Sequence, residues 1–283
     1  TMIGDAHNSI AHYELIRDNL DKFPLRFILY PQSFNISAAL DAGAKRIGGC
    51  ILADGSIGSE TAAVSEPYLN STSKGVLYQS DEFWQKFISE ACKHHLQVAV
   101  HCIGDRAIRQ INNVYKNIAT TEELRCELIH CELTDDELIR EIAVSKAVPV
   151  MQPNFDLLWG GENGFYAQKL GIKRSQIMNR FATILKAGIT ITGGSDWYVT
   201  PLNAMQSINA AINHHNPQER LTLAQAIDIY TKNAAWLNFE ENITGQIKTG
   251  FQADLSIYSL PLETETSQLR YVIREGEIEY AER

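Results

Sequence analysis

No stretch of the 283 residues is apolar for the roughly 18–20 positions that a membrane-spanning helix needs. No Lys- or Arg-rich run occurs, and acidic residues outnumber basic ones to give a net charge of −9. The electrostatic footprint of a nucleic-acid binder is therefore missing. The five cysteines are odd in number, dispersed and never spaced CxxC, which excludes a disulfide scaffold and points to reduced thiols. The first twenty residues are polar and mixed, so no signal peptide is expected to open the chain. These absences lead to an expectation of a cytoplasmic protein that works on a small molecule, with neither nucleic acid nor membrane as partner. The hydrophobic share, 45%, is ordinary for a globular chain and excludes disordered or collagen-like structure. The length accommodates one large α/β domain, or a barrel with a small appendage.

Helix and strand signals alternate almost throughout. Residues 8–23 read as a helix with Ile10, Tyr13, Leu15, Ile16 and Leu20 in an apolar stripe. Strands are predicted at 25–30, 46–53, 97–102, 126–131, 148–152 and 189–192. Helices are predicted at 37–42, at 81–95 behind an Asp81 cap, and at 105–119. A Thr134/Glu137 capping box opens another to about Ser145, and Pro153 reads as a strand end. Further helices are expected at 175–187, at 201–214, and after a Thr222/Gln225 capping box. Residues 54–79 form a long polar loop, a length that is usually functional in a compact domain. After residue 240 the pattern changes to short strands with a Glu275-Gly276-Glu277 hairpin turn. The expected division is a barrel-like unit over 1–240 and a β segment over 241–283. About six strand–helix units are visible, whereas a closed parallel barrel needs eight.

Three segments carry the chemistry. Val98-Ala99-Val100-His101, Leu128-Ile129-His130 and Ile189 through Asp196 are each a β-branched apolar run ending in a potential metal ligand. A parallel barrel gathers such strand ends on its active face. Singly, each has an ordinary alternative: a satisfied histidine at a strand end, or an aspartate capping the next helix. As a set, imidazole and carboxylate suit Zn²⁺ and similar ions. An open site on such an ion brings bound water towards a pKa of ~7, and a nearby carboxylate can carry its proton. Asp54, Gln152 and Trp197 are further candidates for the substrate side, as is Trp159 in a Gly-rich loop; the ordinary reading of each is a structural role.

At these residues the chain resembles the amidohydrolase superfamily, in particular the amidohydrolase 3 family of YtcJ-like and N-substituted formamide deformylase-like proteins. The matching stretches are Ala53 through Ala63, His101-Cys102-Ile103-Gly104-Asp105, Ile129-His130-Cys131-Glu132, Gly194-Ser195-Asp196, Tyr230 through Ala235 and Gly245 through Leu255. They run in family order over nearly the whole chain. The resemblance implies an α/β fold, a metal-dependent (β/α)₈ TIM barrel with a small β-sandwich built from both chain ends. It implies hydrolysis of amide-type C–N bonds of a small molecule through metal-activated hydroxide. It also implies that His101 and His130 are ligands from barrel strands five and six, with Asp196 as strand-eight ligand and proton shuttle.

Two departures from the family pattern matter. The His-x-His pair that opens the family barrel has no counterpart, and His7 and His12 lie in a polar helical region and read as surface residues. The expectation is that the first two barrel strands and half of the sandwich are absent. The open edge, at residues 25–30 or on the face that the missing strands would cover, would then pair with another copy to give a dimer or larger homo-oligomer. An alternative is a catalytically inactive truncated or split-subunit fragment that acts only within an assembly. Second, the lysine of many relatives near the end of strand four is replaced by Cys50. A thiolate there suits zinc, and a thiol there equally suits a small buried apolar site. A single Zn²⁺ or other divalent ion is therefore expected, not a pair bridged by a carboxylated lysine.

Overall fold

The computed structural model describes residues 2–3, 10–23, 25–262, 264 and 267–282. His7, Pro24 and the start of the predicted first helix lie outside the described residues; His12 is exposed. Among the described residues, seven parallel strands occur in chain order. β1 (Met2–Ile3) pairs with β2 (Ile28–Leu29). Then β3 (Arg46–Leu52), β4 (Gln97–Cys102), β5 (Glu127–His130), β6 (Val148–Met151) and β7 (Thr192–Gly193) form one five-stranded sheet. The Gly48 N–H donates to the Pro31 carbonyl at 3.0 Å, which sets β3 beside the end of β2. Every residue of β4, β5 and β6 is buried, as the continuous apolar runs require of parallel strands covered on both faces. Helix Asp105–Lys116 turns Ile108, Ile111, Val114 and Tyr115 into the same core. Each large apolar side chain so buried contributes roughly 1.5–3 kcal/mol.

The architecture is α/β with parallel and antiparallel sheets. The closed eight-stranded barrel expected from the resemblance is not formed among the described residues, where the parallel strands stand as two and five. Strand β2 is not the open edge that was expected, because β1 covers one side of it. The far edge of β7 is also occupied. Gly193 N–H donates to the Ile229 carbonyl at 2.9 Å, and the Asn233 carboxamide donates to the Ile191 carbonyl at 3.0 Å.

Several local expectations shift for identifiable reasons. Ser80, not Asp81, caps helix Asp81–Lys93, and Asp135, not Thr134, caps helix Asp136–Ser145; in each case the side chain accepts from the amide three residues on. Pro153 does not merely stop β6. It takes the first position of helix Pro153–Trp159, where its missing N–H costs nothing. The helix predicted at 175–187 is broken by Asn179 at φ +53° into Ile172–Ser175 and Phe181–Lys186. The Thr222/Gln225 capping box is present. At the carboxyl end, β8 (Leu255–Tyr258), β9 (Leu269–Arg274) and β10 (Glu277–Ala281) form an antiparallel sheet turned at Glu275-Gly276. Both turn residues have positive φ, as a two-residue hairpin demands.

Residues 54–79 contain no helix or strand, yet they are packed. Ile57, Ala62, Val64 and Tyr68 build a second core with Ile103, Leu133, Tyr166 and Leu170. Arg174 donates to the carbonyls of Glu66 and Pro67, and Lys169 pairs with Glu60 at 2.7 Å. This clamped loop lies over the carboxyl ends of β3 and β4 and carries Asp54 and Gly55 to the site.

Candidate metal centre

The site begins with an irregularity in β3. Ile47 stands opposite Val98, but Ile51 stands opposite Val100, so β3 holds two extra residues across that interval. Gly48 permits this: its φ is +101°, and a Cβ there would lie 2.2 Å from the Ala99 carbonyl oxygen. The bulge brings the Cys50 thiol to 3.8 Å from His101 Nδ1. His101, near the end of β4, places Nε2 at 3.1 Å from the Gly55 carbonyl. A carbonyl can only accept, so Nε2 carries the hydrogen and Nδ1 keeps its lone pair beside Cys50.

His130 ends β5. Its Nδ1 lies 2.9 Å from Gln152 Oε1, its ring meets that of His101 edge-on at 4.5 Å, and Phe155 stacks on it at 5.8 Å. One donor atom from each of Cys50, His101 and His130 falls within 4.8 Å of the other two. Ordinary Zn–S and Zn–N lengths in a tetrahedron separate sulfur from nitrogen by about 3.6 Å. The 3.8 Å between Cys50 and His101 is close to that value, so the donor set fits a divalent ion.

Burial governs the charges. It presses His101 down to about 3, assisted by His130, and His130 down to about 4. Both imidazoles are therefore neutral near pH 7, the form that ligates. Burial, reinforced by Asp196, lifts the Cys50 thiol to about 12. Asp196 is raised by burial and lowered by His101, so its carboxylate acts electrostatically on this cluster without being one of the three donors within 4.8 Å. His130, Cys131 and Asp196 all have left-handed backbones, at φ +73°, +51° and +52°. Such non-glycine residues cost on the order of 1 kcal/mol each and persist only where the surroundings enforce them.

The other sequence candidates divide. Asp54 is enclosed by backbone, with Oδ1 3.6 Å from His101 Nε2. It is 0% exposed, and its oxygens accept from the amides of Ala63, Ile103 and Gly104 at 2.7–3.0 Å. Burial still lifts it to about 7 against those three amides. Gln152 is buried with both amide atoms engaged, Oε1 at His130 and Nε2 donating to the Val150 carbonyl at 3.1 Å. Trp197, beside Asp196, is 64% exposed. Trp159 packs on Phe155 at 4.5 Å and on Tyr166 at 6.2 Å.

Glu132 was not singled out from the sequence as a site residue. It is buried, accepts from the Tyr166 hydroxyl at 2.6 Å, and is lifted to about 8 by burial first, with Asp54 and Asp196 adding to the rise. The signal for it was an acid two residues past a ligand in an otherwise apolar run. All five cysteines are free thiols.

Comparison with known proteins agrees with this centre. The chain is 29% identical over 250 residues to the putative amidohydrolase YtcJ of Bacillus subtilis, covering 81% of this chain and 46% of that protein. It is 28% identical over 219 residues to the protein LONG AFTER FAR-RED 3 of Arabidopsis thaliana, covering 73% of this chain and 37% of that one. The chain thus spans about half the length, or less, of these relatives. Its fold matches that of an uncharacterized metal-dependent hydrolase from Pyrococcus furiosus with a TM-score of 0.71 at 26% identity, over 86% of this chain and 52% of the other. A second such hydrolase, from Pyrococcus horikoshii, gives a TM-score of 0.74 at 22% identity over the same shares. The amidohydrolase family profile matches residues 3–280, and the chain belongs to that family.

Proposed function

We propose that the chain is a metal-dependent hydrolase that cleaves amide-type, non-peptide C–N bonds in a small molecule. The observation that carries this reading is the convergence of Cys50, His101 and His130 from three adjacent strand ends onto one point, in a chain of the amidohydrolase family. A single divalent ion, zinc by the softness of the donor set, would be held by these three residues. When bound, such an ion supplies Lewis acidity and an activated water at neutral pH.

The chain's own residues do the rest. His101 and His130 are kept neutral and aimed by their second hydrogen bonds. Asp196, at the edge of the cluster and next to exposed Trp197, takes a proton from the nucleophile and returns it to the leaving nitrogen. Trp197 offers an apolar surface to the substrate. Residues 1–240 form the hydrolase unit and 241–283 an appended β segment. The free, dispersed thiols support a reducing, cytoplasmic setting.

The test is hydrolysis by the zinc-loaded chain of a panel of small amides, formamides and carbamates. Turnover that needs zinc and falls on the order of 100-fold in Asp196→Asn, with zinc still bound, is expected. Wild-type chain that binds no zinc, or turnover indifferent to it, would overturn the reading.

A further inference from the structure

We infer that Gln152 is a positioning residue that fixes which nitrogen of His130 is free to bind metal, relaying that choice from the backbone of β6. The inference rests on the metal-binding reading above, but its first test does not need a metal.

Two contacts define the relay. Gln152 Nε2 lies 3.1 Å from the Val150 carbonyl oxygen, and Gln152 Oε1 lies 2.9 Å from His130 Nδ1. The two ends of a carboxamide are not interchangeable here. A carbonyl oxygen accepts only, so the end facing Val150 must be the NH₂ group. The other end, facing His130, is then the carbonyl oxygen, which also accepts only. His130 must donate from Nδ1, and its remaining lone pair sits on Nε2. Turning the amide over would press two oxygens together at Val150 and move the imidazole hydrogen to Nε2, where a ligand lone pair is needed.

The surroundings leave Gln152 no other task. It is 3% exposed, and a side chain added at Gly194 would already stand 3.5 Å from Nε2. The imidazole it addresses is held on its face by Phe155 and at its edge by His101, so the ring cannot swing to find another acceptor. His101 obtains the same service from the Gly55 carbonyl, with the opposite nitrogen blocked. The two imidazoles thus present different nitrogens, Nδ1 from His101 and Nε2 from His130. For His130 the hydrogen-bond partner is a side chain, and the selection is there open to substitution.

Two measurements test the inference on the full chain. In metal-free wild type, long-range ¹H–¹⁵N correlation of the His130 ring is expected to show the Nδ1–H tautomer; an Nε2–H tautomer would overturn the inference. For Gln152→Met, of similar volume but without the acceptor, zinc affinity measured against a chromogenic chelator is expected to fall roughly 10–100-fold. Gln152→Glu, whose protonated form donates to Val150 and accepts from His130, is expected to restore affinity to within about threefold of wild type. Zinc binding by Gln152→Met as tight as wild type would overturn the inference. If Gln152→Met does not fold, the wild-type tautomer still decides. A chain with the Nδ1–H tautomer but no zinc binding at all would sink the metal-centre reading and leave the relay standing.

Discussion

The Cys50 thiol lies 3.8 Å from His101 Nδ1, the nitrogen that the Gly55 carbonyl leaves without a hydrogen. This contact separates two accounts of Cys50, as a ligand or as a small packing residue. Near neutral pH the two imidazoles are already neutral, whereas the thiol, lifted to about 12, is protonated. Zinc uptake at about pH 7.5 is expected to release the proton of Cys50 in addition to any lost by an activated water. Calorimetry in buffers of different ionisation enthalpy counts them. Cys50→Ala should lower the count by about one proton; an unchanged count would assign Cys50 to packing alone.

Asp54→Ala is expected to destabilise the fold by about 3 kcal/mol or more. It strips the acceptor from three amides, those of Ala63, Ile103 and Gly104, all in buried backbone. Urea unfolding of the metal-free protein measures the change. A loss below about 1 kcal/mol would mean that water replaces the carboxylate without difficulty, and that Asp54 does not pin the loop.

Gly48→Ala tests the bulge. The added Cβ meets the Ala99 carbonyl at 2.2 Å, and the φ of +101° is hostile to any side chain. A stability loss of roughly 2 kcal/mol or more is expected, with weaker zinc binding because Cys50 is carried away from His101. Thermal unfolding and chelator competition on the same sample report the two effects.

The two site histidines give the metal-free fold a pH dependence of definite sign. Their folded pKa values, about 3 and about 4, lie below the ordinary value of 6.5. Between these limits the unfolded chain binds more protons than the folded one, so their part of the stability falls as pH drops from about 6.5 towards 4. Asp54, Glu127 and Glu132, raised to about 7, 7 and 8, act in the opposite direction over the same range. The histidine part is therefore read by difference. The double variant His101→Leu/His130→Leu should lose less stability than wild type on acidification, by up to about 2.7 kcal/mol per pH unit for two protons. Parallel pH profiles would show that the imidazoles are not held neutral.

The central strands and the two histidines were legible because a fully buried parallel strand writes itself as a β-branched run, and a lone imidazole at its end stands out. β4 was read to the residue. What the sequence hides is register and hydrogen-bond direction. Nothing in Gly48-Gly49-Cys50 announces a two-residue bulge, and Gln152 reads as a substrate contact or as a structural residue, its link to His130 unseen until Val150 and His130 stand on either side of its amide. Asp54 could be read only as a polar residue of the long loop, because two of its three amide partners, Ile103 and Gly104, lie about fifty residues away in the chain. Ring closure was inferred from the family resemblance, not from local pattern, and it is the element that the described residues do not bear out.

The cap on β7 has a consequence for self-association. Because the Ile229 carbonyl and the Asn233 amide already occupy the outward-facing groups of Gly193 and Ile191, a foreign strand arriving there must first displace the chain's own helices. In the five-stranded parallel sheet, strand-mediated growth is therefore barred at the β7 edge.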